Sequence, residues 1–376
     1  MIVNVYSSNN KSLIFCLEDI YQQIKTIDFD FILFSISPSF PINHVNPLIQ
    51  RVFKTNKYVA FHAVEAFQNC SIVDDGVIAV IFKFERDGEV SVFYQNNIFS
   101  DEVLINSANY FNNNQDKFHI MIGGYVEGNF GFFLEKLSDK LNYKVDNIVG
   151  GISSGIEVDG KIVSYQFVDD KIIKEGFVVL SFENIKGVID ISLGFKPYGI
   201  TYNITKAKDS KIYEVDNERK FSEIIKSILS DIEDIDMRYL WYTPINILDE
   251  KNGYVSTLRT IEYFNDEYVK FYGPVKEGQH FKMSFSTVKN LLEEDEKIAK
   301  RVLSKISLPD VIFNFSCIAR EYVLEDKRDF EIRLYTDILN AHLFGFFTFG
   351  EIGPDKNFNS LKLYNETSLL VAMREK

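Results

Sequence analysis

The chain has 376 residues, 41 of them Lys or Arg and 54 Asp or Glu, for a formal net charge of −13; the basic residues are scattered, so phosphate backbones and anionic membrane surfaces are repelled and nucleic acid is excluded as a partner. Hydrophobic residues reach 46%, yet the longest apolar stretches, Gly76 to Phe82 and Leu343 to Phe349, fall far short of the roughly 20 residues that span a bilayer, which excludes a membrane protein. Twenty Gly and eight Pro are too few for long flexible linkers, and the length predicts two or three folded units.

Met1 to Lys11 carries Asn and Ser where a secretory leader would place basic residues before an apolar core, which points to a cytoplasmic protein. Apolar runs at Phe29 to Ser35, Tyr58 to His62 and Phe118 to Ile122 predict strands interleaved with helices. From Gly76 to Gln95, and again from Lys161 to Val215, β-branched and aromatic runs predict antiparallel strands. Arg86-Asp87-Gly88, Asp159-Gly160 and Asn184 to Gly187 suit hairpin turns between them. A helix is predicted over Phe130 to Leu141, with Phe130, Phe133, Leu134, Leu137 and Leu141 on one face. Another spans Glu218 to Leu229. The domain boundary is placed just before it, giving units 1–215 and 216–376, and the acidic run Asp231 to Asp236 beyond it reads as a solvated connector. Strands follow at Val255 to Tyr263 and Tyr268 to Tyr272, then a helix from Thr287 to Ser304, a strand at Val311 to Ser316, a helix from Asp329 to Leu339 and a strand at Phe344 to Phe349. The expectation is an α+β protein of two domains, each of mixed sheets flanked by helices.

Several motifs carry chemistry. Gly151-Ile152-Ser153-Ser154-Gly155 fits the nucleophile elbow of a serine hydrolase, with His280 or His342 as base, but the elbow must open a helix and Ile156 to Phe167 reads as strands. Gly123 to Asn129 links a strand to a helix, as phosphate-binding turns do. It lacks both the Gly-Lys-Ser/Thr ending and the Gly-x-Gly-x-x-Gly spacing, and Glu127 would repel the ligand. Cys16, Cys70 and Cys317 are far apart and read as reduced thiols, with Cys317 a second candidate nucleophile because Arg320 follows it. His62 and His342 stand in apolar contexts and read as hydrogen-bonded core histidines rather than metal ligands; no cofactor or metal is expected. Glu351 ends an apolar strand among glycines, in Leu343-Phe344-Gly345-Phe346-Phe347-Thr348-Phe349-Gly350-Glu351-Ile352-Gly353-Pro354. A carboxylate there must be solvated, paired or bound.

That segment, with Asn365-Glu366-Thr367 after it, resembles the carboxy-terminal signature of the FIST sensor family. Ser316-Cys317-Ile318-Ala319-Arg320 is similar to the family's Ser-Cys-x-x-Arg strand end, and Thr257-Leu258-Arg259-Thr260 to its earlier arginine-bearing strand. Leu193-Gly194-Phe195-Lys196-Pro197-Tyr198-Gly199 is similar to its Gly-Trp-x-Pro-x-Gly turn, and Asn147-Ile148-Val149-Gly150-Gly151 to its Gly-Gly strand end. Where the family carries Gly-Cys-Ser-Thr-x-Gly-Glu, this chain reads Ala60-Phe61-His62-Ala63-Val64-Glu65-Ala66, and Tyr364 stands where a His is usual. The resemblance implies a FIST N-terminal and a FIST C-terminal domain. They would form a cytoplasmic sensor that binds a small molecule, such as an amino acid, and signals to a kinase, cyclase or chemoreceptor partner. In that pocket Glu351 would pair with an ammonium group, Arg320 or Arg259 would hold a carboxylate, and Cys317, Thr348, Asn365 and Thr367 would complete the lining. The other expectations are a hydrolase using Ser153 or Cys317 and a module that only docks a protein partner.

Overall fold

The structure, a computed structural model, describes residues 1–229, 236–249 and 255–376. Strands Phe31–Ile36, Tyr58–His62, Phe118–Gly123, Ile148–Ile152, Val311–Cys317 and Leu343–Thr348 are buried along their whole length, as continuous apolar runs are when a sheet is covered on both faces. They form three parallel pairs, in chain order. Parallel neighbours need a crossover, supplied by helices Val45–Phe53, Phe130–Ser138, and Ile318–Leu324 with Arg328–Leu339.

Each pair is the centre of a six-stranded sheet, and the three sheets are built alike. The first runs Ile2–Ser8, Val77–Lys83, Phe31–Ile36, Tyr58–His62, Gln166–Val168, Lys171–Ile173. The second runs Glu89–Gln95, Phe177–Glu183, Phe118–Gly123, Ile148–Ile152, Glu351–Pro354, Leu361–Tyr364. The third runs Ile185–Ser192, Ser368–Glu375, Val311–Cys317, Leu343–Thr348, Glu65–Gln68, Ser71–Asp74. Their registers correspond rung by rung: Ser7, Ile78, Ser35, Phe61, Gln166 and Ile173 lie opposite one another in the first sheet. Tyr94, Val178, Ile122, Gly151, Glu351 and Tyr364 do so in the second, and Ile191, Leu369, Phe315, Phe346, Ala66 and Val73 in the third. The chain therefore runs through one unit three times. Each unit sends a hairpin out of its own sheet: 65–74 completes the third sheet, 166–173 the first and 351–364 the second.

The inner faces of all three sheets share one core, to which Leu33, Phe61 and Val80, then Ile122, Val149 and Leu180, then Phe315, Phe346 and Val371 contribute. Helices cover the outer faces. Between strand Ile185–Ser192 and helix Val288–Lys305 of the third unit, the described residues of 196–285 contain an eight-stranded sheet around a core of its own that includes Ile204, Phe221, Ile247 and Phe281. The 215/216 division falls within this inserted sheet, between the paired strands Lys211–Val215 and Arg219–Lys220.

The class is α+β, with mixed sheets flanked by helices. Of the three turns read as hairpins, only Asp159-Gly160 closes one, with both residues at positive φ joining Ile156–Val158 to Lys161–Val163. Arg86-Asp87-Gly88 leads from the first sheet to the second, and Asn184 from the second to the third. A turn residue specifies a local reversal, not whether the next strand returns to the same sheet. Of the acidic run 231–236, only Asp236 is among the described residues.

Candidate functional site

Glu351 stands where the third unit's chain crosses from the third sheet to the second, and its side chain is wholly buried. Thr348 Oγ1 donates to its Oε1 at 2.5 Å, Thr367 Oγ1 to its Oε2 at 2.6 Å, and the Thr367 backbone N–H to Oε2 at 3.3 Å. Gly151, directly opposite, keeps the site open: a Cβ there would lie 2.6 Å from Thr348 Cγ2. Burial pushes Glu351 up to about 8, against the pull of Thr348 and Thr367.

A second carboxylate joins it. Glu366, wholly buried and at positive φ, accepts from Thr260 Oγ1 of the inserted sheet at 2.9 Å, while its Oε2 has no partner. Burial and then Glu351 raise it well above the ordinary carboxylate range. Asn365 beside it is buried with an unpartnered Oδ1. Cys317 is buried, and burial first, then Glu351 and Glu366, push its thiol well up; a thiol so placed is a poor nucleophile. Among the described residues, no ion pair reaches Glu351 or Glu366.

The two arginines are engaged elsewhere. Arg320, fully buried, gives both Oδ atoms of Asp295 bonds of 2.6 Å from Nη2, and its Nε meets Glu331 Oε2 at 3.0 Å. Burial opposes the guanidinium charge, but Asp295 and Glu331 outweigh it and hold Arg320 protonated. Ser368 donates to the other Glu331 oxygen at 2.6 Å and meets the Tyr335 hydroxyl at 2.9 Å. Thr367 thus serves Glu351 on the core side of the sheet, while its neighbour Ser368 serves the helix side. Arg259 directs Nε to Pro274 O at 2.9 Å and Nη1 to Thr257 Oγ1, Leu258 O and Leu363 O at 2.8–3.0 Å. Its role is to tie the inserted sheet to the edge strand of the second sheet, and burial lowers it to about 10.

The sequence-derived set is thereby placed: Thr348, Glu351 and Thr367 are bonded together, and Cys317 and Asn365 stand beside them. Arg320 influences both carboxylates only through space, and Arg259 bonds backbone carbonyls. Glu366 and Thr260 belong to the Asn365-Glu366-Thr367 and Thr257-Leu258-Arg259-Thr260 motifs, where no local pattern marks them as site residues. Asp295 and Glu331 were missed altogether, although each shares a helix face with buried apolar residues, Leu291, Ile298 and Val302 for one and Ile332, Tyr335 and Leu339 for the other. An acid on an apolar stripe signals a buried partner.

A cavity of about 20 Å³ is lined by Tyr125, Phe130, Ile152, Tyr272, Phe349 and Leu363, room for about one water molecule. Tyr272, from the inserted sheet, also lies within electrostatic reach of Cys317 and Glu366. Tyr125 and Val126 lead on to an outer recess of about 390 Å³ under the 156–163 hairpin.

Ser153 is buried and accepts from Gln166 Nε2 at 3.2 Å, whereas His280 and His342, its proposed bases, are exposed. The reading of His342 as a core residue is therefore corrected. His62 is in the core, but both ring nitrogens lack partners and burial lowers it to about 4. All three cysteines are free. Among the described residues no group of three or more His, Cys, Asp and Glu is arranged to hold a metal ion, and no helix is long and apolar enough to cross a membrane.

The triplicated unit explains what the Glu351 corner does not require. By register, Gln166 and Ala66 occupy the place of Glu351, and Ser153 and Ala63 that of Thr348. The corners close with a Ser–Gln pair in the second unit and two alanines in the first, so the backbone needs no carboxylate there.

Fold and site together define a module in which an inserted sheet closes over a buried polar cluster in a three-unit β core. The chain belongs to the FIST family: the FIST N domain matches residues 30–218 and the FIST C domain residues 223–354. It is also similar to an uncharacterized protein of Aquifex aeolicus (strain VF5), at 32% identity over 260 residues that cover 66% of this chain and 96% of that one. FIST domains are associated with sensing in signal transduction and are generally non-enzymatic signalling modules.

Proposed function

We propose that this chain is a sensor whose small-molecule site is the buried cluster of Glu351 and Glu366 with Thr348, Thr367, Cys317 and Asn365, at the seam between inserted sheet and core. The observation that carries the reading is a pair of wholly buried carboxylates with no bonded cation among the described residues, one of them, Glu366, within electrostatic reach of Tyr272 on the wall of an aromatic cavity, in a corner whose two counterparts do without the acid. Burying such groups is costly unless something compensates them, and a ligand is the compensation that a sensor would have. Thr260 and Tyr272 come from the inserted sheet and the remainder from the core, so a ligand between them changes how the two surfaces meet. That differential affinity shifts the population of arrangements, and a signalling partner of kinase, cyclase or chemoreceptor type reads the shift. Arg320 and Arg259 hold the walls rather than the ligand in this arrangement.

The test is thermal melting of the full chain against amino acids, amines, organic acids, sugars and nucleotides. A ligand at about 100 times its Kd adds roughly 2.7 kcal/mol of stability, and Glu351→Gln should abolish that gain. A panel without a hit, or a hit indifferent to Glu351→Gln, sinks the site.

A further inference from the structure

Once its acids are ionised, the atoms left unpaired at this cluster are acceptors. Glu366 Oε2 and Asn365 Oδ1 are both buried and both without a hydrogen-bond donor, and a ligand that satisfies them brings N–H or O–H groups, of which a charged ammonium also offsets the acids. The two guanidinium groups that a ligand's carboxylate would need are already engaged with protein oxygens. Arg259 spends Nε and Nη1 on four protein oxygens. Arg320 is neutralised by two carboxylates, and its one unpartnered nitrogen, Nη1, lies against Gly194 near Leu291, among the residues that pack under helix Val288–Lys305. Tyr272, within electrostatic reach of Glu366, shares the wall of a small cavity with Tyr125, Phe130 and Phe349. Such rings attract an organic cation through their faces and receive its carbon body, whereas a bare alkali ion would not need them.

We propose that the ligand is a small organic amine without a carboxylate, its ammonium received by Glu366 and Glu351 and its carbon body by the aromatic cavity. The inference rests on the site proposed above and narrows it, replacing the amino acid implied by family resemblance. A cavity of about 20 Å³ is too small for a multi-carbon ligand, so Tyr125 or Tyr272 must swing aside, and the route in is the recess beneath the 156–163 hairpin. Ammonium binding requires ionised acids. Because burial raises Glu351 to about 8 and raises Glu366 in the same direction, ionising Glu351 on binding near pH 7 releases a proton.

The experiment is calorimetry and thermal melting of the full chain with butylamine and butane-1,4-diamine, beside 4-aminobutanoate, butanoate, 1-butanol and potassium chloride at equal ionic strength. One or both amines should bind with proton release, read from the dependence of the heat on buffer ionisation. Glu366→Gln should weaken that binding at least ten-fold, and Tyr272→Leu several-fold, the latter keeping the test open should the first variant misfold. Equal or tighter binding of 4-aminobutanoate, binding of butanoate alone, or potassium matching the amines would overturn the ligand class. If those effects still vanish in Glu351→Gln, the site itself stands. No binding across the set overturns the ligand class, while the site itself stands or falls on the wider panel above.

Discussion

Glu351 ionises against its surroundings, and that gives it a signature in the pH dependence of stability. Its folded pKa is raised to about 8 by burial, whereas in the unfolded chain it titrates near the ordinary value of about 4.3. Below that value both states carry the proton and the group is neutral to stability. Between it and about 8 the unfolded state is ionised while the folded state is not, so stability falls by about 1.4 kcal/mol per pH unit from this group. Glu351→Gln should therefore be little changed at pH 4.5 and progressively more stable than the parent up to pH 8; denaturant unfolding at three pH values measures it, and a constant difference would contradict the burial argument. Arg320 is the opposite case. Its removal as Arg320→Met strands Asp295 and Glu331 in the core and should cost about 3–5 kcal/mol. A loss below 1 kcal/mol would mean the triad is solvated. The acid was legible in the sequence because glycines and an apolar strand frame Glu351. The arginines' partners were not, because Asp295 and Glu331 lie 25 and 11 residues from Arg320 and only the packing of helices Val288–Lys305 and Arg328–Leu339 brings them together. The family's Thr-x-Gly-Glu, absent at Ala63 to Ala66, recurs in this chain as Thr348-Phe349-Gly350-Glu351, on the register-equivalent corner of the third unit. The comparison needs the fold, since no local pattern announces that the two corners correspond.

Periodicity located most of the elements themselves. Tyr58–His62 is a strand as read, Thr287 caps the helix Val288–Lys305 with a bond to the Asn290 N–H at 3.2 Å, and the helix opening at Phe130 ends at Ser138, one turn early. Patterns of this kind report which face is buried, not what lies on it. That is why the exchanged hairpins escaped the reading. Phe67 is fully buried against the helix side of the third sheet, its ring 5.1 Å from that of Phe347, although it lies five residues beyond the last strand of the first sheet's own parallel pair. Arg328 adds a polar lock, pairing with Glu65 at 2.8 Å and with Glu321. Phe67→Ala should cost about 3–5 kcal/mol, and the loss belongs to the sheet that receives the hairpin. Amide exchange should accelerate more along Leu343–Thr348 than along Tyr58–His62, the strand nearest in sequence. The reverse order would argue that the hairpin is held by its own unit.

At the scale of the molecule, the chain is a three-unit core interrupted once. The interruption starts and ends at one place: Lys196 pairs with Phe285, and Ser286 Oγ reaches Gly194 O at 2.9 Å. Its apolar core, including Phe221 and Phe281, is separate from that of the three sheets. Neighbouring ends and an independent core are the conditions under which an inserted segment can be removed. Replacing residues 196–285 by a short Gly-Ser linker should leave a folded three-sheet protein with native-like strand content and a cooperative melt, at a lower Tm because Arg259 no longer caps Leu363 O and Thr260 no longer meets Glu366. The same variant separates fold from function. If the seam is the sensing site, the truncated protein loses the stabilisation by amine while keeping its sheets, since Tyr272 and Thr260 leave with the insertion. A truncated chain that melts without cooperativity would show that the inserted sheet is part of the core's folding unit. One that folds and still binds would place the ligand wholly within the three sheets, around Glu351 rather than at the seam.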